Sequence, residues 1–261
     1  MKKVISIFTF FLFFLLRLSG QGEIDDQQRI FYRNEATLHA SLNSTGFGGG
    51  VRYGKRLNFF NKRLYEGEIS YFKHPKEIRL NNPYFPNSRS FVYGKLNLFF
   101  NLRGGYGFQR EVFKKLDKGG VAVRYFYTFG PSIGIYKPVY YEVLVPVSLY
   151  EYQLVTEKFN PALHKSDDIY GRASFLKGWN ELKIVPGIFG KFGINFEFSK
   201  FDPLVQALEA GIVIDVYPKK IPIMASNDNR NYFISLYACY RFGKIIDRYY
   251  KKAYNESGNN F

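Results

Sequence analysis

Tyr232–Phe242 reads YFISLYACYRF, and its alternation decides the fold. Tyr232, Ile234, Leu236, Ala238, Tyr240 and Phe242 form one row; Phe233, Ser235, Tyr237, Cys239 and Arg241 form the other. Successive side chains of a strand point to opposite faces. The stretch therefore shows an apolar row to one side and a mixed row carrying an arginine to the other. Such a strand suits a wall between lipid and a wet lumen.

The remainder of the chain repeats this period of two, in ten candidate strands. They lie at about 35–42, 47–54, 63–73, 92–101, 105–113, 121–129, 139–150, 182–198, 204–217 and 232–242. The clearest is the eighth, where Leu182, Ile184, Ile188, Phe192, Ile194, Phe196 and Phe198 oppose Glu181, Lys183, Lys191, Asn195 and Glu197. The expectation is all-β: a single antiparallel up-and-down transmembrane barrel of about ten strands, within eight to twelve. Loops at 74–89, 151–179 and 218–230 are long and are expected outside the cell. Short turns near 57–62, 102–104, 132–138 and 199–203 are expected in the periplasm. A soluble sandwich would also alternate, but would seldom set charges opposite the apolar row of every strand.

The N-terminus fixes the expected compartment. Lys2 and Lys3 precede an apolar run from Val4 to Leu16, and Leu18-Ser19-Gly20-Gln21 follows. That is the layout of a cleaved signal peptide, and the run is too short for a spanning helix. The expected organisation is a signal peptide at 1–21, a periplasmic segment at 22–29, a barrel at 30–242 and a periplasmic tail at 243–261. The single cysteine, Cys239, rules out an internal disulfide.

Cleavage would lower the formal charge from +15 to +12, 34 bases against 22 acids. In an exported chain such charge meets lipid head groups, polysaccharide or acidic partners, and no nucleic acid is expected. Tyr (22) and Phe (28) far outnumber the one Trp, which suits aromatic girdles at the edges of a barrel's apolar band. Mean hydropathy is only −0.23, as expected where half of each strand faces water.

Tyr240-Arg241-Phe242-Gly243-Lys244, together with Ile214-Asp215-Val216-Tyr217-Pro218-Lys219-Lys220-Ile221-Pro222-Ile223-Met224 before it, resembles the small outer-membrane β-barrel proteins of the Bacteroidota. The resemblance covers the mature chain and implies a Gram-negative outer membrane, but transfers no functional residue. One departure is the tail after Phe242. With Lys244, Arg248, Tyr249, Tyr250, Lys251 and Lys252 it could contact a membrane or periplasmic partner, although a solvated terminus is the plainer reading.

The row opposite the apolar one carries Glu35, Arg52, Glu66, Glu68, Lys95, Arg124, Lys183, Lys191, Glu197, Glu209, Asp215 and Arg241. Buried ions must be paired or wetted, so these groups either close a narrow lumen or line a small-solute pore. Catalysis has weaker support. His39 shares a strand with Glu35, Thr37 and Ser41, and His164 precedes Asp167 and Asp168, but neither spacing is specific. Gly46–Gly50 lacks the residues of a phosphate loop, and no metal-ligand spacing occurs. No enzyme, metal or cofactor is expected. The leading expectation is a structural or assembly- and secretion-associated membrane barrel, with a porin-like channel second and a hydrolase or acyltransferase third.

Overall fold

The computed structural model describes residues 34–246 apart from 86, 116–118, 149–150, 201–203 and 227–228. The expected signal peptide, the 22–29 segment and most of the expected tail lie outside the described residues. Thirteen strands occur among the described residues: β1 (Asn34–Asn43), β2 (Gly46–Arg56), β3 (Asn61–Phe72), β4 (Arg79–Leu80), β5 (Phe91–Val92), β6 (Asn97–Phe113), β7 (Ala122–Pro138), β8 (Tyr140–Pro146), β9 (Tyr152–Lys158), β10 (Ile169–Arg172), β11 (Lys183–Glu197), β12 (Leu204–Val216) and β13 (Tyr232–Ile246).

Eight of them close an antiparallel barrel in the order β1-β13-β12-β11-β7-β6-β3-β2. Closure is made by β1 on β13, from Asn34 opposite Ile246 to Asn43 opposite Tyr237. The last strand thus runs four residues past Phe242, into what the sequence suggested was tail.

The count is eight and not ten, for two reasons. The candidates at 92–101 and 105–113 are one strand, β6. Gly104, read as the end of a turn at 102–104, and Gly105 are held in the sheet opposite Gly67 and Glu66 of β3. The candidate at 139–150 leaves the barrel and becomes β8, because β11 pairs directly with β7, Lys183 against Tyr136. Strand β7 continues through Gly130 and Pro131, where a break was expected. These two pair with Phe189 and Ile188 of β11, while the ladder to β6 lapses between Ser132 and Phe129. A proline lacks the N–H for one ladder bond, and here the other neighbour carries the strand.

The two corrections also reposition the loops. The connections 73–96, 139–182 and 217–231 and the tight turn 44–45 lie at one end of the barrel. The opposite end has the short connections 57–60, 114–121 and 198–203, the start of β1 and the end of β13.

Above the barrel, β10-β8-β9 form a three-stranded sheet and β4-β5 a two-stranded one. They share a core of Phe91, Val139, Tyr141, Val143, Phe159 and Ile169. The loops are cross-tied. Asn82 Nδ2 donates to Ile169 O at 2.8 Å and to Asp167 O at 3.0 Å, and Tyr93 Oη donates to His164 O at 3.1 Å.

The glycines of β2 are packing devices. A Cβ on Gly50 would lie 2.3 Å from Gly67 O and 2.8 Å from His39 Cε1. At the lapse in the β6–β7 ladder, a Cβ on Gly130 would meet Gly104 O at 2.1 Å, whereas one on Gly104 meets nothing within 4 Å. Gly130→Ala should therefore destabilise the barrel by about 1–3 kcal/mol, the usual scale of overpacking, and Gly104→Ala should not. Urea unfolding of the two refolded variants checks this, and equal midpoints would contradict the close approach.

Candidate functional site

Inward-pointing side chains from six barrel strands, β2, β3, β6, β11, β12 and β13, meet in one buried ion-pair network. Glu209 of β12 sits at its centre. Its Oε1 accepts from Arg52 Nη1 at 2.5 Å, Arg241 Nε at 2.9 Å and Asn195 Nδ2 at 2.9 Å. Arg52 also reaches Glu66 Oε2 at 3.0 Å. Lys191 Nζ bridges Glu66 Oε1 at 3.1 Å and Glu68 Oε2 at 2.7 Å. Arg103 then joins Glu68 Oε1 at 2.6 Å to Asp215 Oδ2 at 2.6 Å, and Asn101 Nδ2 donates to Asp215 Oδ1 at 2.7 Å. Four acids face four bases here, so this part of the lumen is formally neutral.

A second group lies toward the short-turn end. Arg124 contacts Glu197, Glu111 at 3.4 Å and Glu35 at 3.7 Å. Lys62 donates to Glu35. Apolar rings fill the space between charges. Phe126 lies 4.2 Å from Arg52 Cζ, and Tyr237 lies 4.6 Å from Lys191 Nζ. Leu64, Phe189, Val213 and Cys239 complete this layer.

The loop-side end of the lumen is stoppered. Pro218-Lys219-Lys220-Ile221-Pro222-Ile223-Met224 alternates, and prolines hold it extended, so Ile221, Ile223 and Met224 pack inward on Phe72, Phe99, Val185 and Tyr217. Leu96 N donates to Ile223 O at 2.9 Å, and Asn229 Nδ2 ties the returning loop to Met224 O at 2.8 Å. Phe233 stacks on Phe99 with ring centroids 5.4 Å apart.

Ten of the twelve expected lumen charges, all but Lys95 and Lys183, belong to these two groups. Lys95 lies above the barrel, bonded to Glu77 Oε2 at 2.6 Å and Tyr71 Oη at 2.8 Å. Its strand starts later than expected, at Asn97. Lys183 has inward parity but stands exposed at the rim, because β11 begins above the neighbouring wall. Arg103 was missed, although it is 2% exposed and links two acids, because the stretch 102–104 reads as a turn. Its odd-number parity with Asn101 was the available signal. In the last strand Tyr232, Ile234, Leu236, Ala238, Tyr240 and Phe242 point outward, while Tyr237, Cys239 and Arg241 are buried inside.

The fold also brings together groups distant in sequence. His39, Glu66 and Glu68 offer ligand atoms within 4.8 Å of one another. The carboxylates are already engaged by Arg52, Lys191 and Arg103, and Arg241 Nη2 lies 3.5 Å from Glu66 Oε1. A divalent cation would have to displace bases from a neutral cluster, so the set fits a metal poorly. His39 Nε2 lies 3.6 Å from Glu68 Oε2, just beyond hydrogen-bond length. His164 is a loop-building residue: its Nδ1 accepts from Asn160 N at 3.2 Å. Asp168 Oδ2 accepts from Lys165 N at 3.0 Å in the same loop.

A scan against protein-family models finds no match, and a search of curated proteins finds none. Solved barrels are similar in outline. Neisserial surface protein A (NspA) is 10% identical, covering 81% of this chain and 96% of its own at a TM-score of 0.35. Ail, the attachment invasion locus protein of Yersinia pestis, solved with the heparin analogue sucrose octasulfate, is 7% identical, covering 82% and 98% at a TM-score of 0.38. At these values the likeness carries no conclusion about this chain.

Arg103→Met should cost about 3–5 kcal/mol, because Asp215 loses its base in a buried site while Glu68 keeps only Lys191. Adding Asp215→Asn restores formal neutrality and should recover much of that loss. Urea titration of the single and double variants checks it; a double variant less stable than Arg103→Met would show that the charges do not act as a unit.

Proposed function

We propose that the chain is a bacterial outer-membrane barrel with a structural or assembly-associated role. The observation that carries this is inverted polarity: the lumen holds the ions, and the outer wall is apolar. Leu38, Ile69, Ile188, Phe192, Ile212 and Leu236 all project outward and exposed, with Ile188 at 66% and Leu236 at 62%. A water-soluble barrel would place such residues inside.

Aromatic side chains mark both ends of this apolar wall. Phe47, Tyr71 and Phe100 lie side by side near the loop end, with centroids 5.5 and 5.4 Å apart. Tyr65, Tyr106 and Phe129 do so toward the other end, at 5.6 and 6.2 Å. Girdles of this kind sit at membrane–water interfaces. Long connections at one end and short turns at the other support an outside and a periplasmic side. The stoppered, paired lumen favours the structural reading over a solute pore. The basic C-terminal residues beyond Ile246 remain the proposed contact for a periplasmic or membrane partner.

Ile212→Arg, near the middle of β12, should lower folding stability in lipid vesicles by about 2–4 kcal/mol. Ile78→Arg, 69% exposed in an outer loop, should be neutral. In water both changes would be tolerated, so equal effects would reject the membrane reading. Purified protein in planar bilayers should show no reproducible conductance steps, and stable steps would restore the pore.

A further inference from the structure

We infer that the loop assembly holds a binding pocket for a phosphate or sulfate ester carried on a saccharide. A cavity of about 300 Å³ opens among the upper end of β3, strand β4, the loop before β6, and strands β8 and β10. Lys73, Arg79, Lys95 and Arg172 line it, with Glu77 as the acid among them and Tyr141 among its walls. Four bases against one acid leave the pocket at +3, in sharp contrast to the neutral network of the lumen's centre.

The partners of these groups matter more than their number. Glu77 is committed: Oε2 accepts from Lys95 Nζ at 2.6 Å, and Oε1 accepts from His74 N at 2.9 Å. Lys95 is buried and held by Glu77 and Tyr71, which leaves the third of its N–H donors uncommitted. Lys73, Arg79 and Arg172 form no ion pair among the described residues. These cations come from separate elements and are gathered by the cross-tied loops. Nothing in the barrel's closure requires them there.

The walls are rigid enough to constitute a site. Tyr141 Oη lies 2.7 Å from Val92 O and 2.9 Å from Lys95 O, and burial pushes its hydroxyl pKa up. At Gly171 the β10 backbone passes so close to Arg89 that a Cβ would lie 2.7 Å from Arg89 O. Converging unpaired guanidinium and ammonium groups suit a tetrahedral oxyanion, which accepts several charge-assisted hydrogen bonds at once. The volume is at the low end of small-ligand sites, roughly 300–1,000 Å³, and admits one substituted sugar ring and not a long chain. Phe91, Val92 and Leu98 supply apolar surface for the ring.

This goes beyond the membrane reading and is independent of it, since the loops form the pocket whatever surrounds the barrel. The test is calorimetric titration of the full folded chain in non-ionic detergent with glucose 6-phosphate, glucose 6-sulfate and glucose. The charged sugars should bind saturably and weaken as salt rises, and glucose should not bind. Arg79→Gln and Arg172→Gln should each weaken binding roughly tenfold, the scale of one charge-assisted hydrogen bond. Both positions are exposed on short strands of the loop assembly, and retained heat-modifiable gel mobility shows that the variants fold. Lys55→Gln, on the opposite half of β2, should bind as the parent does. Displacement of bound sugar ester by lipopolysaccharide micelles, and not by a soluble sulfated polysaccharide, assigns the ester to the membrane's own saccharide; the reverse assigns it to a soluble one. Binding of the charged sugars no tighter than glucose, or unchanged in both arginine variants, overturns the site.

Discussion

Closure of eight strands leaves an interior only as wide as the side chains that fill it. The packing of the lumen answers to that constraint. With water excluded and polar groups on the inward row, each inward charge needs an opposite charge at hydrogen-bond length. Glu209 meets this by gathering Arg52, Arg241 and Asn195, drawn from three other strands. Some of these contacts are also cross-braces: Arg52 ties β2 to β12, two strands that share no backbone ladder. Arg103 spans β6 to β12 in this way, through Asp215.

The same narrowness explains the glycines and the rings. Gly50 leaves room for the ring of His39, its partner on the adjacent strand. Where no charge is available, aromatic rings fill the section and lie against guanidinium groups, as Phe126 does beside Arg52. At the loop end the packing changes character. Ile221, Ile223 and Met224 fold in against Phe72 and Phe99, and the lumen ends in an apolar stopper.

Above that stopper the balance of charge is different. The lumen's central network neutralises itself, whereas Lys73, Arg79 and Arg172 converge without acids of their own. Interior charges are compensated by necessity, because burial without a partner is costly. Charges on an exposed rim carry no such requirement, and their meeting in one cavity is a property of how the loops fold. A structural barrel and a ligand-bearing rim are compatible: the rigid wall fixes the loop roots, and the loop core of Tyr141, Phe159 and Ile169 fixes the rest.

Much of this was legible in the chain. Alternation alone separated outward from inward residues along β13, because a period of two leaves no choice of face once one charged residue must be hidden. The same rule assigned Glu66, Glu68, Lys191, Glu209 and Asp215 to a common interior. It failed where local signals and sheet context disagreed. Gly104-Gly105 and Gly130-Pro131 look like turns, yet they lie in continuous strands because neighbouring strands supply their hydrogen bonds. From that misreading came the extra strands and the loss of Arg103. Residue chemistry and parity are properties of neighbours in sequence, so the sequence by itself determined which face each side chain takes. Strand number, the pairing of each acid with its base, the stopper and the basic pocket depend on contacts between residues tens to more than a hundred positions apart. Only the closed tertiary structure decided those, because only closure brings such residues within reach.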